Sequence, residues 1–508
     1  MESVRKWLPN KSNLVVREQR VVASASCTWN RICATIVGAM LYVTVVQSQS
    51  SVTIAVDTGS TGIIIPDDFI GLSFETQSVL PITNGKYIFA PENHQLLALL
   101  KSLGVRSLRI GGNTADRPTV ALPSRVDIDY LFGFAEAAGT KVIYTLRLRE
   151  GSSTYAAQTA EYIAEHYKEE LDCFAIGNEP NDFAREYSTY RDEWKNYFEA
   201  ITSEENGKDA MFCGPCSTPG KASWCRRFAG DFANSGHIKF IAQHAYPGGN
   251  GMKVTDQDNA RRSMLSMSWR LGYQSLYDSF VPFIDTMGLA YRIEETNNFY
   301  NGGAVNVSDA FASALWGLDY LYWWASHGAI GVNFHTGDSV AAGERSTPCR
   351  YAVFWTVPDG YAVHPLGYAI KMFDVGCHGT LVPMHIQANP DSVDLSAYGV
   401  VSKDKSLFVT LINRECGKRP LAARVTLCPQ CSFTDAKIMF LLSRRGDLAA
   451  KTDITLGGST IRDDANWDGT WSPLRKSGDE RTYIFELSPS SAALVKLTQH
   501  EQGETHHP

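Results

Sequence analysis

The chain has little net charge for its size: 508 residues carry a formal charge of -7, and no long basic run occurs in the body of the sequence. A nucleic-acid surface needs clustered Lys and Arg to neutralise phosphates, so nucleic acid is not an expected partner. No apolar run of membrane length occurs after residue 46, so no later segment is expected to cross a bilayer. A zinc site at Cys428-Pro-Gln-Cys431 is a weak signal, because one Cys-x-x-Cys alone does not supply the four ligands of a structural zinc. Glycosylation sequons are scarce, with Asn306-Val-Ser the single one in the body.

What is present suits a large folded enzyme. With 44% hydrophobic and 11% aromatic residues, the chain can fill more than one core. At the start, Arg5, Lys6, Lys11, Arg17, Arg20 and Arg31 precede the apolar run Ile32 to Val46, followed by the small polar stretch Gln47 to Ser51. Basic, apolar and small-polar in that order is a signal-peptide pattern, and the run is shorter than the ~20 residues that span a bilayer. Residues 1–50 are expected to be a leader, either cleaved on secretion or kept as a signal anchor with the enzyme outside. Of the 11 cysteines, Cys27 and Cys33 fall in the leader. Cys213, Cys216 and Cys225 cluster, as do Cys416, Cys428 and Cys431, while Cys173, Cys349 and Cys377 stand apart. The expectation for a secreted chain is local disulfides plus one or more buried free thiols.

Apolar strand-like runs recur at Phe69 to Phe74, Ser107 to Gly112, Lys141 to Leu148, Asp172 to Gly177, Ala210 to Gly214, Ile238 to His244, Leu289 to Glu295 and Ala329 to His335. Between them lie stretches with apolar residues at spacings of three and four, such as Asn93 to Leu103, Val126 to Ala138, Tyr155 to Tyr167, Tyr190 to Ile201, Met264 to Phe283 and Asp309 to Trp324. This alternation predicts an α/β fold, a (β/α)8 TIM barrel over residues 66–376. After Cys377 the helical period stops. Short runs at Ser406 to Ile412, Ala436 to Leu442, Tyr483 to Leu487 and Ala492 to Leu497 predict a C-terminal antiparallel β-sandwich over 377–498. Residues 51–65, with Val52 to Val56, are expected to add a strand to that sandwich, and 499–508 form a polar tail.

Two acidic signatures carry the chemistry. Glu179, in Gly177-Asn178-Glu179-Pro180, ends the fourth strand, where Pro180 stops the ladder and turns the chain. A bland alternative is a helix-capping role for this glutamate. At the seventh strand Glu294 and Glu295 compete; strict alternation puts Tyr291, Ile293 and Glu295 on the barrel face, and Arg292 with Glu294 on the helix face as a structural ion pair. Polar residues also end the second strand (Arg109 to Asn113), the sixth (Gln243-His244-Ala-Tyr246) and the eighth (Asn333-Phe-His335). All lie at the end of a barrel where catalysis is sited. Two carboxylates at one mouth are the minimum for cleaving a glycosidic bond, Glu179 as proton donor and Glu295 as nucleophile. No metal or organic cofactor is required by that chemistry.

FIGLSFE, LRIGGNTADR, FAIGNEPNDF, QHAYPG and RIEETNNFYNGG, taken in order with the sheet-rich tail, resemble glycoside hydrolase family 79, the β-glucuronidase and heparanase family of clan A, over residues 52 to 498. The resemblance implies a retaining mechanism with Glu179 as acid/base and Glu295 as nucleophile. It implies that Glu75 and Asn113 hold ring hydroxyls, Asn178 the 2-hydroxyl, and that Tyr246 orients the nucleophile, with His244 and His335 also at the substrate. Tyr300 and the backbone amides of Asn301 and Gly302 match the segment that receives a uronate carboxylate. Two positions depart from the pattern: Phe334 stands where relatives often carry Tyr, so that one carboxylate contact is either missing or supplied elsewhere, by Tyr351 or Tyr361, and Glu294 replaces a small or polar residue. The expected function is an exo-β-glucuronidase acting on carbohydrate with a terminal β-linked uronic acid. The alternatives are a heparanase-like endo-β-glucuronidase, against which the lack of basic clusters argues, and an inactive carbohydrate-binding protein, against which the presence of both acids argues.

Overall fold

The computed structural model describes residues 49–60, 62–388, 393–478 and 481–499. The expected leader, apart from residues 49 and 50, and the expected polar tail beyond Gln499 lie outside the described residues.

Eight parallel strands close into a barrel. They are Ile70–Glu75, Ser107–Gly111, Lys141–Leu146, Leu171–Ile176, Phe212–Ser217, Ile238–Ala245, Tyr291–Thr296 and Val332–His335. The strands are buried on both faces, because helices cover the outside and side chains fill the inside, and this is why they read as continuous apolar runs. Local signals set the helix ends. Helix Arg125–Ala138 opens with a capping box between Ser124 and Asp127 and stops at Gly139, whose φ of 69° is a left-handed conformation that glycine adopts without strain.

Helix Phe311–Ser326 follows the seventh strand and is buried all round, from Phe311 to Ala325. A helix apolar on every side must be enclosed on every side. Here one face meets the barrel, where Trp316 and Tyr320 pack on Phe334. Another face meets the sandwich, where Tyr322 stacks on Tyr398 at 4.9 Å and accepts a hydrogen bond from Thr410 Oγ1 at 2.9 Å. Asp319 on the same helix is bridged to Arg270 and accepts from Tyr398 Oη at 2.9 Å. The helix behind the Glu294–Glu295 strand is therefore held by both layers.

The C-terminal region forms two sheets. Gln49–Val56 joins the smaller one, pairing antiparallel with Met384–Ala388 but parallel with Ala422–Pro429. The sandwich is thus mixed rather than wholly antiparallel. A strand arriving from the far end of the chain has no hairpin to impose its direction. Two further hairpins, Ser339–Ala342 with Arg345–Pro348 and Phe354–Val357 with Gly360–Val363, follow the eighth barrel strand.

The expected local disulfides are absent among the described residues: all nine cysteines there are unpaired, and Cys173, Cys213, Cys216, Cys225, Cys349 and Cys377 are buried. In the first cluster the wall of the barrel separates Cys225 from the other two. Cys213 and Cys216 pack inside it with Cys173, whereas Cys225 lies on the helix outside and meets Gln243 Oε1 at 2.9 Å.

Candidate active site

Three strand ends are knotted together by one buried carboxylate. Asp116 accepts from the backbone N–H of Leu148 at 2.7 Å, Arg149 at 2.8 Å and Asn178 at 2.5 Å. Burial pushes its carboxyl up, against the pull of those amides. Beside it Glu179 adopts φ 44°, and its N–H donates to Cys216 O at 3.0 Å. The Glu179 side chain makes no capping bond to the turn Pro180–Asp182 that follows. It meets His244 Nδ1 at 3.0 Å instead.

The seventh strand departs from simple alternation. Tyr291 packs outward on Phe280 and Trp324 of the helix layer. Arg292 donates to Asn333 Oδ1 at 2.7 Å and meets Asp68 Oδ2 at 3.1 Å, so it does not pair with Glu294. Against the sixth strand, Gln243 pairs with Ile293 and His244 with Glu295, so Glu294 is an extra residue in a bulge. Both glutamates therefore turn toward Arg109 and His244, and the expectation that Glu294 faces the helices is corrected. Glu294 meets His244 Nε2 at 3.1 Å and Arg109 Nη2 at 3.5 Å. Glu295 accepts from Tyr246 Oη at 2.8 Å and from Arg109 Nη1 at 2.5 Å.

These contacts give the two carboxyls at the mouth opposite tendencies. Burial raises Glu179, more than the neighbouring His244 lowers it. Burial also opposes the charge on Glu295, but His335, His244 and Arg109, together with the Tyr246 hydroxyl, overcome it and hold this carboxyl well below the usual range. Glu294 is likewise lowered, burial being outweighed by Arg109 and His244. One favours the protonated form and the other the ionised form. One carboxylate oxygen of each of Glu179 and Glu295 lies within 4.8 Å of the other.

A cavity of about 590 Å³ opens over this pair. Of the residues singled out from sequence, Asn113, Asn178, Glu179, Tyr246, Glu295, Tyr300, Asn301 and His335 line it. Glu75, His244 and Gly302 do not. Glu75 lies beneath the floor, its oxygens taken by Thr114 and the Ala341 N–H. Gly302 is buried, and its carbonyl accepts from Arg350 N. Tyr351 lines the cavity, but Tyr361 accepts from Asn93 Nδ2 elsewhere. Phe334 packs outward on Trp316 and Tyr320, so position 334 faces away from the cavity whichever aromatic ring it carries.

Sequence reasoning passed over Asp116, Arg117, Arg149, Asp182 and Phe183, which also line the cavity. Asp116 lay inside a motif already noted, but its role depends on backbone amides from two other loops. Two groups of side chains are close enough to hold an ion, Glu179 with His244 and Glu295, and Cys213 with Cys216 and Glu294. In both, the carboxylates are already engaged by the Arg109 and His244 nitrogens.

No known protein-family model matches the chain. A β-glucuronidase from Aspergillus niger is 30% identical over 111 residues, which is 21% of this chain and 20% of that protein, so the match spans about a fifth of the relative. A solved 4-O-α-L-rhamnosyl-β-D-glucuronidase from Fusarium oxysporum 12S superposes with TM-score 0.67 at 18% identity, covering 88% of this chain and all of that one. A family 51 arabinofuranosidase from Xanthomonas axonopodis pv. citri gives 0.64 at 15% identity, covering 89% of this chain and 100% of that one. The chain has the barrel-and-sandwich fold of these glycoside hydrolases and resembles glycoside hydrolase family 79.

Proposed function

We propose that the chain is a retaining β-glycoside hydrolase that releases terminal glucuronic acid. The observation that carries this reading is the Glu179–Glu295 pair, close together at the barrel mouth with opposed ionisation. A spacing of about 5 to 5.5 Å between carboxyl groups suits direct attack, whereas an inverting pair stands roughly 6.5 to 9.5 Å apart to admit a water. Ionised Glu295, aimed by Tyr246 and Arg109, attacks the anomeric carbon. The leaving oxygen takes the proton of Glu179, which returns as base for the water that cleaves the glycosyl ester.

The uronate preference rests on the phenols at the rim. Tyr246 lies 6.2 Å from both Tyr300 and Tyr351, ring centre to ring centre, and Tyr300 is 41% exposed. A carboxylate leaving water needs such donors. The β-glucuronidase names of the two relatives support the same substrate class. Exo action is supported by the hairpin at 339–348, whose Ala341, Gly343 and Glu344 line the cavity while Arg117 bonds Gly343 O and pairs with Glu344. That hairpin walls off one side of the mouth.

We also propose a secretory route, on the leader pattern. In the folded chain the sequon is engaged, with Asn306 Nδ2 donating to Gln257 Oε1 at 3.2 Å and Ser308 buried. Hydrolysis of matched chromogenic β-glucuronide, β-glucoside and β-galactoside tests the substrate class. Cleavage confined to the glucuronide is expected. Equal rates on all three would remove the uronate assignment, and no cleavage of any would remove the hydrolase.

A further inference from the structure

His244 is fully buried and gripped from both sides. Its Nδ1 lies 3.0 Å from Glu179 Oε1 and 3.9 Å from Glu295 Oε1, and its Nε2 lies 3.1 Å from Glu294 Oε1. An ionised carboxylate only accepts hydrogen bonds, so Nε2 carries a hydrogen toward Glu294. Glu294 has no exposed surface and does not line the cavity, so substrate cannot reach it. It stands behind the histidine only because of the bulge in its strand.

We propose that Glu294 is a positioning residue that keeps His244 a permanent imidazolium, so that one cation faces the charge on Glu295 before attack and the charge on Glu179 after it. This rests on the double-displacement reading. In the first step an oxygen of Glu295 bonds to the anomeric carbon, the bond to the leaving oxygen breaks, and that oxygen takes the Glu179 proton. Negative charge thereby passes from Glu295, now an ester, to Glu179. In the second step water bonds to the carbon, the ester breaks with its electron pair returning to Glu295, and the water proton goes to Glu179. His244 touches both carboxylates and transfers no proton.

The groups facing this imidazole come from every side. They are Glu179 and Asp182 after the fourth strand, Glu294 and Glu295 on the seventh, and Tyr246 after its own strand. Arg109 and His335 lie beyond the two seventh-strand carboxylates, and the Cys213 thiol lies 4.0 Å from Glu294 with Cys216 beside it. Burial works against the charge on His244, but Glu295, Glu179 and Glu294 together hold its pKa up at about 9. The charge is therefore kept below that pH and lost above it. Glu294 is the acid that meets Nε2, and it is charged in both halves of the cycle.

Glu294→Gln keeps the size and an accepting oxygen but removes the charge. His244 should then lose its extra proton at a lower pH than in wild type, where the ring stays charged to about pH 9. Glu294→Asp, which keeps the charge, should restore the wild-type titration, and ¹⁵N-histidine spectra recorded across pH read all three proteins. An unmoved His244 titration in Glu294→Gln overturns the proposal and leaves a structural role only. A second measurement needs no variant of Glu294. In ¹⁵N-histidine spectra of wild type, the ring assigned by its loss in His244→Gln should carry protons on both nitrogens at neutral pH. A neutral ring there also overturns the proposal. Were the hydrolase reading wrong, no glycoside would turn over, yet the spectra would still report the charge of His244.

Discussion

Arg109 donates from Nη1 to Glu295 Oε2 at 2.5 Å and from Nη2 to Asn178 Oδ1 at 2.7 Å. One buried guanidinium thus sets the carboxylate on the seventh strand and the amide beside Glu179, and it lies 3.5 Å from Glu294 as well. Removing it strands two buried carboxylates. Arg109→Met should cost about 3 to 5 kcal/mol of unfolding free energy, as other broken buried pairs do, and abolish activity. Arg109→Lys should recover part of the stability but little activity, since a point charge cannot hold two partners at once. Urea denaturation checks both, and a loss under about 1 kcal/mol for Arg109→Met would contradict this arrangement.

The roles of the two acids separate kinetically. Glu179→Ala should keep much of the first step on an aryl glucuronide whose leaving group needs no proton, and azide should rescue the second step to give the β-azide. Glu295→Ala should fail with every leaving group, azide yielding only the α-azide. Exchanged anomers would reverse the assignment.

Tyr300 should discriminate by charge. Tyr300→Phe removes one donor at the rim and should slow glucuronide cleavage about tenfold, equivalent to roughly 1.4 kcal/mol, with a much smaller effect on any neutral glycoside. Equal losses on both substrates would take Tyr300 out of carboxylate recognition.

The thiols make a chemical prediction. With no disulfide among the described residues, reducing agent should leave the melting temperature of the enzyme unchanged. Denatured under non-reducing conditions, the region from Gln49 onward should titrate nine thiols. A lower count, restored by reductant, would show bridges that the fold does not contain.

The barrel was legible because strands buried on two faces must be apolar throughout, and the runs from Phe69 to His335 show it. Glu179 and Glu295 were legible because each ends such a run. The facing of the seventh strand was not: the bulge at Glu294 carries no glycine or proline to mark it, and the register that creates it belongs to the neighbouring strand. Cysteine spacing failed for a related reason, since positions close in sequence can lie on opposite sides of a barrel wall. Asp116 stayed hidden because its partners are backbone amides, which every residue but proline possesses. Phe334 misled in the other direction, because a position adjacent to His335 in sequence points to the other face of its strand.

In a double displacement Glu295 attacks and Glu179 serves twice, first as acid and then as base. Proton NMR of an aryl β-glucuronide digest, recorded within the first minutes and before mutarotation, reads this directly. With retention, β-glucuronic acid appears first and the α anomer only later. First appearance of the α anomer would mean a single displacement by water and would contradict it.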